Sequence, residues 1–173
     1  MQAVSNDNFG PLIAYLVPGA TALLGLSQFS PELESLFRAT PPNAPTIGGF
    51  LYLTAASLAM GMTLSAVRWL LLDHIHNLTG IPMPRLDFSR LGSKVDALGL
   101  LIEIHYRHYL FYANMQVGTG VAYACYRAKV GFAPGLGLVD FAFAFLQLVF
   151  FFTSRDTLRK YYTRCEQILA HGA

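Results

Sequence analysis

The segment IGGFLYLTAASLAMGMTLSAVRWLLL, residues 47–72, decides the fold class of this chain. Its first charged residue is Arg68, so residues 47–67 form an unbroken uncharged run. A bilayer core about 30 Å thick needs roughly 20 helical residues to cross it. The segment therefore predicts a transmembrane helix.

The composition of the whole chain agrees with solvation by lipid. Only 13% of the 173 residues are charged, whereas soluble domains carry about 25%. The net charge of +2 is small and the basic residues are scattered, which excludes a nucleic-acid partner. Cys125 and Cys165 fit neither a disulfide framework nor a zinc ribbon. Residues 1–8 contain no Lys or Arg, so the first apolar stretch is expected to remain as a span and not be cleaved as a signal peptide.

Three further apolar stretches complete the predicted architecture. We expect an all-α integral membrane protein, a four-transmembrane-helix bundle with spans at about 9–28, 47–72, 107–128 and 135–154, forming one domain over residues 1–173. Pro18 predicts a kink in the first span. No proline interrupts residues 93–129, and polar helix-forming residues follow the fourth span. Spans three and four are therefore expected to extend as helices through about 93–107 and 154–170.

The basic residues predict the orientation. Nine of the twelve Lys and Arg residues flank one side of the predicted spans. An excess of basic residues marks the cytoplasmic side. This predicts a multi-pass protein of the cell inner (plasma) membrane with both termini and both helical extensions in the cytoplasm. The three basic residues assigned to the outer side are Arg38, Arg127 and Lys129.

Polar residues inside the spans are the first candidates for function. Asp140 lies about 7 Å below the predicted outer edge of span four, at a depth similar to that of Arg127 on span three. A lone intramembrane charge costs several kcal/mol, so an Asp140–Arg127 ion pair is expected. The alternative is a pore or proton path that these residues line with Asn114, Gln116 and Gln147.

Four histidines near the cytoplasmic ends of spans two and three are the second group of candidates. His74, His76, His105 and His108 could hold a divalent metal, or they could populate a membrane interface beside tyrosines, which is the interpretation we favour. A pH-sensing or nucleotide-contacting role is a third alternative. We predict no cofactor. The predicted cytoplasmic partner or ligand face comprises His74, His76, Arg90, Lys94, Glu103, His105, Arg107, His108, Arg155, Arg159 and Lys160.

Small residues recur every four positions on two spans. The stripes are Ser57, Gly61 and Ser65 on span two, and Gly120, Ala124 and Ala128 on span three. Such stripes let helix backbones approach closely. We expect them to pack within the bundle or, alternatively, between protomers of a homo-oligomer.

The function hypotheses follow from these features. In general build the chain resembles small four-span proteins that bacteria use as membrane effectors or accessory subunits, some of them in anti-phage systems. The first hypothesis is an oligomeric membrane effector or channel-like subunit, in defence or stress response, whose pore forms between protomers. The second is a non-enzymatic accessory or anchoring subunit that docks a cytoplasmic protein. The third is a membrane metalloenzyme built on the histidine cluster, although the chain has no catalytic motif and we expect no enzyme.

Overall fold

The computed structural model describes residues 6–37, 46–131 and 135–170. Every regular element in these ranges is a helix, and none is a strand. The prediction of an all-helical protein is therefore confirmed. Arg38, which the orientation argument assigns to the outer side, lies outside the described residues.

The chain begins with a long helix and a short amphipathic one. Helix α1 spans Asn6–Leu26 and runs through Pro18 without interruption. A 3-10 turn, Ser27–Phe29, leads to α2, Pro31–Phe37. The hydroxyl of Ser30 accepts a hydrogen bond from the backbone N–H of Leu33 at 3.2 Å, which caps the N-terminus of α2.

Two of the following helices contain a π-helical turn. Helix α3 spans Ile47–Arg68 and continues through a π turn, Trp69–Asp73, into α4, His74–Leu78. Helix α5, Val95–Leu101, continues through a second π turn, Ile102–Tyr106, into α6, Arg107–Val130. A π turn accommodates one extra residue per turn and shifts the faces on either side of it. Both turns lie where the apolar part of the helix gives way to polar sequence.

The last helix is the longest. Helix α7 spans Leu138–Ala170, 33 residues, which is about 50 Å at a rise of about 1.5 Å per residue. The predicted helical extensions beyond spans three and four are therefore present as helices, although residues 92–94 form a 3-10 turn before α5 begins.

Among the described residues, three helices are long and apolar enough to cross a membrane. Their apolar segments lie in Leu12–Phe29, Ile47–Leu78 and Leu138–Ala170. Only 11% of the α7 segment and 17% of the α3 segment is buried by other parts of the chain. These large uncovered apolar faces indicate a membrane protein. Helix α6, the predicted third span, is more polar and is not among the three.

Helix α6 occupies the centre of the fold and packs against α1, α3 and α7. Gly118 lies against the backbone of Pro18, and Ala122 lies against Gly25. Residue numbers therefore rise together along α1 and α6, which are parallel. Contacts between α6 and α7 join Thr119 to Gln147 and Arg127 to Asp140, as expected of antiparallel helices. Because neighbouring helices cover much of α6, it needs less apolar surface than the other three.

Glycines set the close approach of α1 and α3. A Cβ atom on Gly19 would lie 1.8 Å from the carbonyl oxygen of Ser57, and one on Gly61 would lie 2.0 Å from that of Tyr15. The small residues Ser57 and Gly61 therefore pack inside the fold. The second predicted stripe differs, because a Cβ on Gly120 would meet no atom of the described residues within 4 Å. Its other members, Ala124 and Ala128, are exposed.

Candidate functional site

A buried ion pair closes one end of the fold, where α6 turns into α7. Asp140 and Arg127 form a salt bridge, with side chains 8% and 5% exposed. The hydroxyl of Tyr123 donates to Asp140 Oδ1 at 2.6 Å. Arg127 also donates to the carbonyl oxygens of Gly131 and Gly135, each at 3.1 Å. The ion pair expected from the sequence is present, and it ties the connecting loop to both helices.

Asn114 makes a hydrogen bond that compensates for a proline in the neighbouring helix. Pro18 has no N–H, so the carbonyl oxygen of Ala14, four residues earlier, loses its helical donor. The side-chain Nδ2 of Asn114 donates to this oxygen at 3.1 Å. Asn114 is completely buried between α1 and α6. Its amide group therefore serves the α1–α6 contact.

The two glutamines assigned to a pore lie at the α6–α7 contact. Gln147 Nε2 donates to the hydroxyl of Thr119 at 2.8 Å and to the backbone oxygen of Gln116 at 3.2 Å. Within the described part of the chain, the buried Oε1 of Gln116 has no hydrogen-bond partner. The buried Oδ1 of Asn114 is likewise without a partner among the described residues. The other side-chain contacts of Asn114, Gln147, Arg127 and Asp140 given above all lie inside this protomer.

A polar network lies at the C-terminal end of α3, where the first π turn brings its residues together. Arg68 donates to Asp73 Oδ1 at 3.0 Å, and the hydroxyl of Tyr109 donates to the same oxygen. The guanidinium of Arg68 also lies 5.1 Å from the ring centroid of Tyr109. In a regular α-helix, residues five apart point in different directions, whereas a π turn brings them to one side. The sequence pattern alone therefore does not pair Arg68 with Asp73.

A cleft of about 270 Å³ opens beside this network, between the α3–α4 segment and α7. Asp73, His74 and Asn77 supply its polar groups, and Trp69 and Tyr162 line its sides. His74 lines this cleft and is exposed at the protein surface. The cleft combines a carboxylate, an amide and aromatic rings at the polar end of an apolar helix.

The four histidines, which the metal-centred hypothesis would bring together, have separate surroundings in the described part of the chain. His76 is completely buried and its Nε2 lies 3.2 Å from the hydroxyl of Ser154. His105 Nε2 instead lies 2.6 Å from the guanidinium of Arg164. Since Ser154 and Arg164 lie about 15 Å apart along α7, these two rings occupy separate levels. Over the described ranges, no three His, Cys, Asp or Glu side chains group closely enough to hold a metal ion.

Three contacts, one of them from Lys94 just before α5, hold α5 and the second π turn against the C-terminal part of α7. Lys94 Nζ donates to the carbonyl oxygen of Ile168 at 2.7 Å. Arg164 donates to His105, and the rings of Tyr106 and Tyr161 lie 5.1 Å apart. We call residues 95–106 with residues 154–170 the α5–α7 hairpin. Along these contacts, residue numbers rise in the first segment while they fall in α7, so the two arms are antiparallel.

The surroundings of His105 in this hairpin favour its neutral form. Burial lowers its pKa below the ordinary value of 6.5, and the positive charges of Arg164, Lys160 and His108 lower it further, while Asp156 opposes them. The hydrogen bond agrees, because Nε2 must be unprotonated to accept from a guanidinium. The contact between His105 and α7 therefore depends on the neutral ring.

The remaining predicted face residues on α5 and α6 lie on another side of the molecule. Glu103 and Arg107 form an ion pair at 2.9 Å. Together with His108 they line a groove of about 400 Å³ beside the start of α1. Arg90 belongs to the 3-10 turn Phe88–Arg90, but its side chain lies outside the described part.

The predicted face residues on α7 are divided between contacts and surface. Arg155 donates to the hydroxyl and the carbonyl oxygen of Thr79, which ties α7 to the end of α4. Lys160 pairs with Asp156 one turn away. Arg159 is exposed and lines a cleft of about 190 Å³. The predicted face is thus several distinct surfaces around the α5–α7 hairpin.

Comparison with protein-family models, curated proteins and solved structures finds no match to this chain. The case for a function therefore rests on the chain's own residues.

Proposed function

We propose that this protein is a four-span membrane subunit that docks a cytoplasmic protein on the α5–α7 hairpin. The observation that carries the proposal is a set of exposed apolar side chains on α5 and the second π turn. Val95 is 57% exposed, Leu100 is 55% exposed and Ile104 is 44% exposed. Exposed apolar groups beyond the apolar spans favour a protein contact.

The proposed topology adds α6 to the three strongly apolar helices. Its 24 residues extend about 36 Å, which is enough to cross a bilayer core of about 30 Å. It runs antiparallel to α7 and parallel to α1, as a third span must. With the excess of basic residues beside the hairpin, this supports two cytoplasmic termini and a location in the inner membrane.

The intramembrane polar residues favour anchoring over conduction. Asp140 and Arg127 neutralise each other, and Asn114 binds the backbone of α1. Gln147 is engaged with α6. A pore needs polar groups that face water, whereas these atoms hold the protomer together.

Photo-crosslinking in native membranes tests the proposal. A crosslinking amino acid at Leu100 or Ile104 should give one discrete protein adduct. The same group at Phe145, which is 66% exposed on the apolar part of α7, should give lipid adducts only. The change Ile104→Glu, one turn from Leu100 on the same side of the segment, should abolish the protein adduct at Leu100 without lowering the thermal midpoint of the purified protein.

Two results would contradict docking on the hairpin. One is lipid adducts alone at Leu100 and Ile104. The other is the same set of protein adducts at Phe145. Reporter fusions at both termini test the topology separately, and an external signal from either terminus would reject it.

An oligomeric channel-like effector is the second candidate, favoured by one observation. The stripe formed by Gly120, Ala124 and Ala128 faces outward from the protomer, where another copy could approach closely. A closed ring in nanodiscs with ion leakage from liposomes would support it, and replacing Gly120 by Leu should then dissociate the ring. A monomer without leakage would reject it. A role in defence or stress response stays a prediction from general build.

A further inference from the structure

Arg68 has a hydrogen-bond donor that the described residues leave unused. The residue is only 4% exposed, and its NH1 group binds Asp73. Among the described residues, however, its buried Nε has no hydrogen-bond partner. Buried polar atoms in folded proteins are nearly always paired, so an unpaired guanidinium N–H points to a ligand that supplies an acceptor.

The groove beside Arg68 collects further donors. It measures about 390 Å³ and lies between α1 and α3, lined by Tyr15, Met62, Ser65, Ala66, Arg68 and Trp69. Tyrosine and serine hydroxyls and the tryptophan indole can each donate a hydrogen bond, as can Arg68 Nε. The groove therefore favours an anion or another strong acceptor.

The groove lies at the depth of lipid headgroups. Helix α3 has 22 residues from Ile47 to Arg68, which correspond to about 33 Å. If Ile47 is near one surface of a hydrocarbon core about 30 Å thick, Arg68 is near the other. Trp69 is 68% exposed at this level, as expected of an aromatic side chain at the membrane interface.

We propose that this groove binds the phosphodiester group of a membrane phospholipid. The phosphate oxygens accept from Arg68 Nε, Tyr15, Ser65 and Trp69, and an acyl chain lies along the apolar surface at Met62, which is 62% exposed. Asp73 already balances the charge of Arg68. Recognition therefore depends on hydrogen bonds to the phosphodiester, and both zwitterionic and anionic headgroups are accepted. A lipid is favoured over free phosphate because the groove opens among exposed apolar side chains.

Native mass spectrometry and thermal unfolding of the full chain in detergent test the proposal. The probes are dioleoyl phosphatidylglycerol, dioleoyl phosphatidylethanolamine, dioleoylglycerol and inorganic phosphate. We expect both phospholipids to bind and to raise the unfolding midpoint, and the diacylglycerol and inorganic phosphate to do neither. The double variant Tyr15→Phe with Ser65→Ala should bind both phospholipids about tenfold more weakly, because it removes hydrogen bonds to a charged group.

Two further variants separate binding from folding. Arg68→Lys keeps a cation for Asp73 but removes the Nε–H, so it should also weaken binding. The matched control is Tyr52→Phe, at an exposed position about 24 Å away along α3, and it should bind as the original protein does. The proposal is overturned if dioleoylglycerol binds as tightly as the phospholipids or if inorganic phosphate alone gives the full stabilisation. It is also overturned if the double variant folds normally and binds phospholipid unchanged.

Discussion

The hydrogen bond from Asn114 to Ala14 gives a sharp test of how this membrane fold is held together. The donor and acceptor atoms lie 3.1 Å apart, and the acceptor lacks its helical donor because Pro18 has no N–H. We predict that Asn114→Ala destabilises the protein mainly by leaving this carbonyl unpaired. If so, Pro18→Ala should remove the need for Asn114, since alanine supplies the missing N–H within α1.

The expected magnitude follows from the two contributions. Hydrogen bonds between transmembrane helices contribute about 0.6 kcal/mol on average and about 1.7 kcal/mol at most. The site is fully buried, so we expect about 1 kcal/mol for the bond, with a cavity cost added to it. The cavity cost is common to both backgrounds. In the Pro18→Ala background, Asn114→Ala should therefore cost about 1 kcal/mol less than in the original chain.

A double-mutant cycle measures this difference directly. Free energies of unfolding would be obtained in mixed micelles for the original chain, both single variants and the double variant. Asn77→Ala, at an exposed asparagine, is the matched control and should show no coupling to Pro18→Ala. Additivity of the two changes within about 0.3 kcal/mol would refute the compensation between Asn114 and Pro18.

Three other predictions follow from the same contacts. Asp140→Asn should lower the thermal midpoint far more than Asp156→Asn, because the first leaves a buried guanidinium unbalanced and the second breaks an exposed pair; equal shifts would contradict this. Gly61→Val should prevent folding, measured as loss of monodisperse protein. Gly120→Val should fold, because its side chain has space. If both variants fold, the close approach of α1 and α3 is rejected. The pKa of His105 is lower in the folded hairpin than in the opened one, so the opened hairpin takes up a proton more readily. The stability of the hairpin should therefore be lost as pH falls below about 6.5. Hydrogen exchange in the hairpin, corrected for intrinsic rates, should show this loss, and the pH dependence should disappear in His105→Gln.

The helical segments were predictable because they depend on local sequence. Long apolar runs predict α1, α3 and α7, and the absence of proline predicts the extensions of α6 and α7. The Asp140–Arg127 pair was also accessible, since both residues flank one short connection and a charge inside lipid needs a partner. These features require only the order of residues along the chain.

The roles of the polar side chains were harder to predict because they depend on which helices meet. Asn114 is a pore candidate by sequence, yet it donates a hydrogen bond to a carbonyl oxygen 100 residues away that Pro18 leaves unpaired. Arg68 and Asp73 come together only through a π turn, which apolar periodicity does not reveal. His76 and His105 contact α7 at different levels. Such pairings follow from tertiary packing, and the spacing of residues in the sequence does not predict them.

The unbroken course of α7 has a mechanical consequence. It is clamped at Asp140 by the salt bridge to Arg127, and it reaches Ala170 without a proline or a gap. Its contacts continue to the other end, with α6 at Gln147, with Thr79 at Arg155 and with His105 at Arg164. The helix is therefore one continuous rigid element, about 50 Å long, that links the α6–α7 connection to the α5–α7 hairpin.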